Sequence, residues 1–109
     1  TVTAGLAANS APGEITINLI TTSSSNALIT DEVINYSYCI DTCSGTDFAD
    51  HTKQLSSTSS VAVISGETLS ATPQSYNIYI WLDGSKVSST HLGLSYSGYI
   101  SAIATQTEN

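Results

Sequence analysis

Apolar and polar residues alternate with period two along most of this 109-residue chain, and no segment carries a convincing helical period. Residues 1–9 place Val2, Ala4, Leu6 and Ala8 on one face. The segment Asn9-Ser10-Ala11-Pro12-Gly13 then interrupts the pattern, with Pro-Gly as a turn or linker signal. Residues 14–20 alternate again, with Ile15, Ile17 and Leu19 inward and Thr16 and Asn18 outward. A polar loop is expected at 21–26. A longer strand follows at 31–40, with Ile34, Tyr36, Tyr38 and Ile40 on one face and Asn35, Ser37 and Cys39 on the other.

Residues 42–50 read as a loop, and 51–55 are ambiguous. A short strand is expected at 59–64, turned by Ser65-Gly66, with a brief strand or edge at 67–71. The strongest strand is 75–82. Tyr76, Ile78, Ile80 and Leu82 share one face, and Tyr79 and Trp81 occupy the other. Both faces are apolar, which predicts a central strand that is covered on both sides or contacts a neighbour. Asp83-Gly84 is a hairpin signal. Residues 86–91 read as strand or loop. The last strand is 95–105, with Tyr96, Gly98, Ile100, Ala102 and Ala104 on one face and Tyr99 and Ile103 on the other. Short alternating runs divided by turn residues predict an all-β fold, an antiparallel β-sandwich of jelly-roll or immunoglobulin-like type. The expected organisation is an N-terminal arm and linker at 1–13 and one sandwich domain at 14–109.

Charge removes several function classes. Two basic residues, Lys53 and Lys86, stand against nine acidic ones, for a net charge of −7. No basic stripe exists to neutralise phosphates, so nucleic acid is not an expected partner. A polybasic membrane-surface site is excluded for the same reason. No apolar run approaches the roughly 20 residues of a membrane helix. Serine and threonine make up roughly a third of the chain, which suits strands, turns and solvation by hydroxyls, and offers acceptors for O-linked sugars. The first residue is threonine, consistent with a mature form whose leader has been removed.

The two cysteines, Cys39 and Cys43, follow a C-x3-C spacing. This is neither a thioredoxin-like C-x2-C nor half of a zinc site. A small disulfide closing a strand-end turn is expected, and it favours an oxidising compartment.

Candidate chemistry is sparse. His51 beside Asp50, His91 and abundant serines allow a Ser-His-Asp set to be drawn, but no G-x-S-x-G elbow orders one, and catalysis is not expected. Asp41, Asp47 and Asp50 in one loop contain the ligand type for Ca²⁺ without the EF-hand pattern, so the expectation is a solvated acidic loop and no metal or cofactor. Asn35-Tyr36-Ser37 is an N-glycosylation sequon, which makes Asn35 a candidate glycan site if its face is exposed. Tyr36, Tyr38, Tyr76, Tyr79, Trp81, Tyr96 and Tyr99 are enough to line a carbohydrate groove, although core or subunit-interface packing is the better reading.

The N-terminal arm is the most suggestive feature. A strand of small apolar residues on a flexible tether can complete the sheet of a neighbouring copy, with Val2, Ala4, Leu6 and Ala8 filling pockets between the sheets. Such a contact runs head to tail and builds a filament when it does not close. The same pattern also fits an ordinary first strand pairing within its own domain.

The segment SYNIYIWLDG at 75–84 and the closing strand YSGYISAIATQ at 96–106 resemble the C-terminal part of small secreted surface proteins of Gram-positive bacteria, and are similar to the TasA/camelysin group. The resemblance covers roughly the last third of the chain. It implies an exported jelly-roll-like domain and polymerisation by donor-strand exchange. This chain is much shorter than the larger fibre proteins and carries the Cys39/Cys43 pair. It lacks an H-E-x-x-H motif, so the proteolytic activity ascribed to part of that group does not carry over. The resulting expectation is a non-enzymatic structural subunit of an extracellular, cell-surface filament or pilus, a homopolymer with attached glycans as candidate decoration. The alternative is a secreted adhesin or carbohydrate-binding module.

Overall fold

A computed structural model describes residues 1–7, 11–56 and 60–107. Among these residues seven strands form two antiparallel sheets. They are β1 (Val2–Ala4), β2 (Gly13–Ser24), β3 (Ile34–Ile40), β4 (Lys53–Gln54), β5 (Val61–Thr68), β6 (Gln74–Leu82) and β7 (Tyr96–Gln106). One sheet has the order β1-β6-β3-β4 and the other β5-β2-β7. The all-β sandwich read from the alternation is therefore the fold.

The inward faces named by the alternation make the core. Ile15, Ile17 and Leu19 of β2 pack with Ile34 and Tyr36 of β3 and Tyr76 of β6. Ile17 and Tyr76 are completely buried. Each such side chain contributes about 1.5–3 kcal/mol by leaving water. Leu28, Ile29 and Leu55 close the edges of this cluster.

Among the described residues three short helices lie where loops or strand were expected. They are α1 (Asn26–Thr30), α2 (Gly45–Asp50) and a single 3-10 turn at Ser89–His91. None is long enough to show a helical period, which is why alternation alone passes over them. Their capping is local. The Ser44 side chain accepts the Asp47 N–H at the start of α2. Ser88 and His91 form a reciprocal capping box around the 3-10 turn.

Several boundaries also shift. β2 runs on to Ser24 through the expected loop. The strand expected from 31 starts at Ile34, because residues 31–32 form a turn with Glu32 at φ 54°. The two pieces expected on either side of Gly66 are one strand, β5, which keeps pairing with β2 through register shifts. Gly66 takes φ 63° there, a conformation that costs glycine little. Asp83-Gly84 does not close a hairpin. β6 and β7 belong to different sheets, and residues 83–95 cross between them. The Asp83 carboxylate instead accepts from the Ser85 N–H and hydroxyl, a local turn that uses the same residue preference.

Candidate functional site: an edge strand beside an open groove

β1 forms one edge of the four-stranded sheet. Val2 pairs with Tyr76, Thr3 with Ser75 and Ala4 with Gln74. The Thr1 hydroxyl donates to Asn77 Oδ1 at 2.8 Å, and the Leu6 N–H donates to Ser70 O at 2.7 Å. Val2, Ala4 and Leu6 are half-buried against the core, while Thr1, Thr3, Gly5 and Ala7 face solvent. Three of the four arm residues picked out by alternation thus share an inward face. The fourth, Ala8, lies outside the described residues, as does Asn9. Gly5 allows the arm to run close to the 70–73 turn, since a Cβ there would sit 2.8 Å from the Pro73 Cα.

β1 is too short to cover its neighbour. Its register ends at Tyr76, six residues before β6 ends at Leu82. Beyond that point Ile80 and Leu82 are 43% and 54% exposed, although they point the same way as the buried Tyr76. Of the two expectations for this strand, cover on both sides within the chain is not met on its inward face, which leaves contact with a neighbour. The opposite sheet has the same defect. Ile100, Ala102 and Ala104 of β7 pair with Leu19, Ile17 and Ile15, so they share the inward side with buried residues. All three are nevertheless exposed. Between β6 and β7 lies a groove of about 400 Å³ lined by Leu19, Ile78, Ile80, Tyr96, Gly98 and Ile100. A second apolar depression of about 260 Å³ reaches Leu28, Ile34, Leu82 and Leu94.

Alternation marks Ile80, Leu82 and Ile100 as core residues. Their exposure follows from the gap that the described residues leave between β6 and β7 along this flank, and no local pattern in the chain signals it.

The other candidates are held in structural contacts. Cys39 and Cys43 form a disulfide with a Cα separation of 5.3 Å. Asp41, at φ 59°, turns the chain between them. Its carboxylate accepts the Ser75 N–H at 2.8 Å. Asp47 lies in the first turn of α2. Among the described residues no group of three His, Cys, Asp or Glu is placed to hold a metal ion. His51 Nδ1 donates to the Tyr38 carbonyl at 2.9 Å, and its ring stacks on Tyr38 at 3.9 Å. His91 accepts the Ser88 N–H at Nδ1 and donates from Nε2 to Asp31.

Asn35 is only 8% exposed. Its Nδ2 donates to Asp83 Oδ2 at 3.3 Å, and its Oδ1 has no partner among the described residues. A glycan needs that nitrogen outside the fold, so the condition set for the sequon, an exposed face, is not met.

The aromatic residues do not converge on one groove. Tyr36 and Tyr76 are in the core. Phe48 of α2 stacks on Trp81 at 5.1 Å and meets Tyr79 edge-on at 5.3 Å. This packing, with Ser37 Oγ donating to Phe48 O at 2.7 Å, seats α2 on the outer face of β3 and β6. Ser37 and Cys39 are buried as a result. Tyr96 lies in the groove and Tyr99 is more than half exposed.

Burial raises the pKa of Tyr36, Tyr38 and Tyr76, with Glu67 adding to the shift at the last two and Asp41 at Tyr76. Asp83 is shifted down, chiefly by the Ser85 hydroxyl and then by the Ser85 N–H.

Comparison with known proteins finds no family model, curated protein or solved structure that matches the chain. No helix is long and apolar enough to cross a membrane among the described residues.

Proposed function

We propose that the chain is the structural subunit of an extracellular filament, assembling head to tail by donation of its N-terminal strand. One observation carries this reading. The arm is an edge strand of one sheet, and the chain then passes through 5–12 to β2 of the other sheet. Exchange of the arm between copies keeps every contact of Val2, Ala4 and Leu6 and alters only the connecting segment. The main-chain ladder to β6 supplies affinity, and the alternating side chains supply register.

The open groove beside the arm strengthens the reading. It leaves apolar surface on β6 and β7 that a monomer exposes to water and an assembly would cover. The mechanism is mechanical: a strand shared between two cores resists extraction because its hydrogen bonds and apolar contacts must break together. The disulfide suits an oxidising location, and the likeness of 75–84 and 96–106 to the TasA/camelysin group fits a secreted fibre protein.

Negative-stain electron microscopy of the purified chain, beside a version lacking residues 1–9, tests this. Filaments from the full chain and none from the shortened one are the expected result. A full chain that stays monomeric at high concentration overturns it and directs attention to glycan and host-protein binding.

A further inference from the structure

Among the described residues β7 is one of the two edge strands of the β5-β2-β7 sheet. It is eleven residues long and carries no charge, no proline and no lysine, the usual devices that keep an edge from pairing with another chain. Both of its faces show large apolar groups. Tyr99 and Ile103 are each 53% exposed on the outer face, and Ile100 is 38% exposed on the inner. In a chain of net charge −7, this uncharged strand is a surface on which two copies can meet without placing carboxylates opposite each other.

The strand is also close to palindromic in chemistry about Ser101. An antiparallel pair of β7 strands related by a two-fold axis at Ser101 sets Tyr99 opposite Ile103, Ile100 opposite Ala102, Gly98 opposite Ala104 and Ser97 opposite Thr105. These four pairs match, aromatic with β-branched, aliphatic with aliphatic, small with small and hydroxyl with hydroxyl, and only the outermost, Tyr96 with Gln106, does not. Such cross-strand pairs are the favourable units of a sheet. Moving the axis to Ile100 sets Tyr99 against Ser101 and Ser97 against Ile103. Moving it to Ala102 sets Tyr99 against Thr105 and Ser101 against Ile103. Both lose the match.

We infer that β7 is a self-association surface, pairing antiparallel with β7 of a second copy about Ser101 to join two three-stranded sheets into one of six. The contact is isologous, the same patch on both partners, and so closes as a dimer. It uses a different edge from the N-terminal arm and does not rest on the filament reading. In a filament, it would tie two strands of subunits side by side.

The register makes the test specific. Residues at the axis face their own copies at a Cα separation of about 4.5–5.5 Å, within the span of a disulfide. Mild oxidation of S101C is expected to give covalent dimers far faster than T72C, a control at an exposed position in the turn before β6. S97C and T105C are expected to cross-link with each other when mixed and not alone. Y99K and I103K change half-exposed side chains, so circular dichroism should be unchanged while sedimentation equilibrium shows the loss of dimer. Cross-linking of S101C no faster than of T72C, or a strictly monomeric unmodified chain at high concentration, overturns the inference. Dimers that survive both lysine variants overturn it as well.

Discussion

His91 and Asp31 are 60 residues apart in sequence and meet at 2.8 Å. His91 Nδ1 accepts the Ser88 N–H, so the ring holds its proton on Nε2 and donates it to the Asp31 carboxylate. The ring is almost fully buried, and Asp31 is half exposed. This pair ties the 83–95 crossover, which carries Leu94 into the groove wall, to the turn that precedes β3.

Replacing His91 by alanine removes both hydrogen bonds and leaves the Ser88 N–H without its acceptor. The expected loss is about 1–3 kcal/mol. Asp31→Asn keeps an acceptor oxygen and should cost less. Urea denaturation of the two variants gives the comparison directly, and equal losses would contradict the assigned bonding.

The Cys39–Cys43 bridge closes a loop with a sequence separation of only 4. For so short a loop the chain-entropy relation gives about 2 kcal/mol. Its local effect is on α2, which follows directly and covers Ser37 and Cys39. Reduction is expected to leave the sandwich folded while hydrogen exchange accelerates over residues 41–52. Global unfolding on reduction would assign the bridge a larger role.

Tyr36, Tyr38 and Tyr76 have raised pKa values because their rings are taken from water. A tyrosine is charged when deprotonated, so the folded state holds the proton more tightly than the unfolded state. The associated stability is fully present below the ordinary value of 10.0 and is lost as pH rises through the folded values. Unfolding at alkaline pH should therefore coincide with a cooperative step in tyrosinate absorbance. Substituting Tyr36 by phenylalanine should shrink that step.

Asp83 has the opposite sign. The Ser85 hydroxyl and N–H stabilise its charged form and lower its pKa, so the linked stability is present above the ordinary carboxylate value of 3.8 and is lost as pH falls through the folded value. Ser85→Ala removes the hydroxyl donor and should move the Asp83 titration upward, as followed by carbonyl NMR. No movement would mean that the Ser85 N–H, with Asn35 and Lys86, sets the shift without the hydroxyl.

Gly98 and Gly84 separate two roles of glycine. A Cβ at Gly98 would lie 2.7 Å from the Ile20 carbonyl oxygen and 2.8 Å from the Tyr96 hydroxyl. The backbone contact cannot move without shifting β2, so Gly98→Ala should cost about 1–3 kcal/mol. At Gly84 a Cβ meets nothing within 4 Å. Gly84→Ala should be neutral or stabilising by up to about 1 kcal/mol. Thermal melts of the two variants provide the contrast.

Much of the fold is legible from the chain because a strand exposes its pattern locally. Period-two alternation assigned Ile15, Ile17 and Leu19, then Ile34 and Tyr36, then Tyr76, to the faces they occupy in the core. The cysteine spacing and the apolar residue before it were enough to expect a strand-end disulfide. Alternation states which way a side chain points and is silent on whether anything faces it. Ile80, Leu82 and Ile100 point inward like their neighbours and are exposed, because β1 pairs with β6 only at 74–76 and β6 and β7 stand apart across the open groove.

Other features depend on residues far apart in sequence. Asn35 is buried by contact with Asp83, and Ser37 by α2 lying across the sheet. The His91–Asp31 pair exists only because the crossover brings the 3-10 turn over α1. The chain by itself determined strand identity, facing and the disulfide, all set by the one- and two-residue geometry of extended backbone. Only the tertiary structure decided which edges are left unpaired and which apolar faces uncovered, because those depend on strand order, and strand order is fixed by long-range packing.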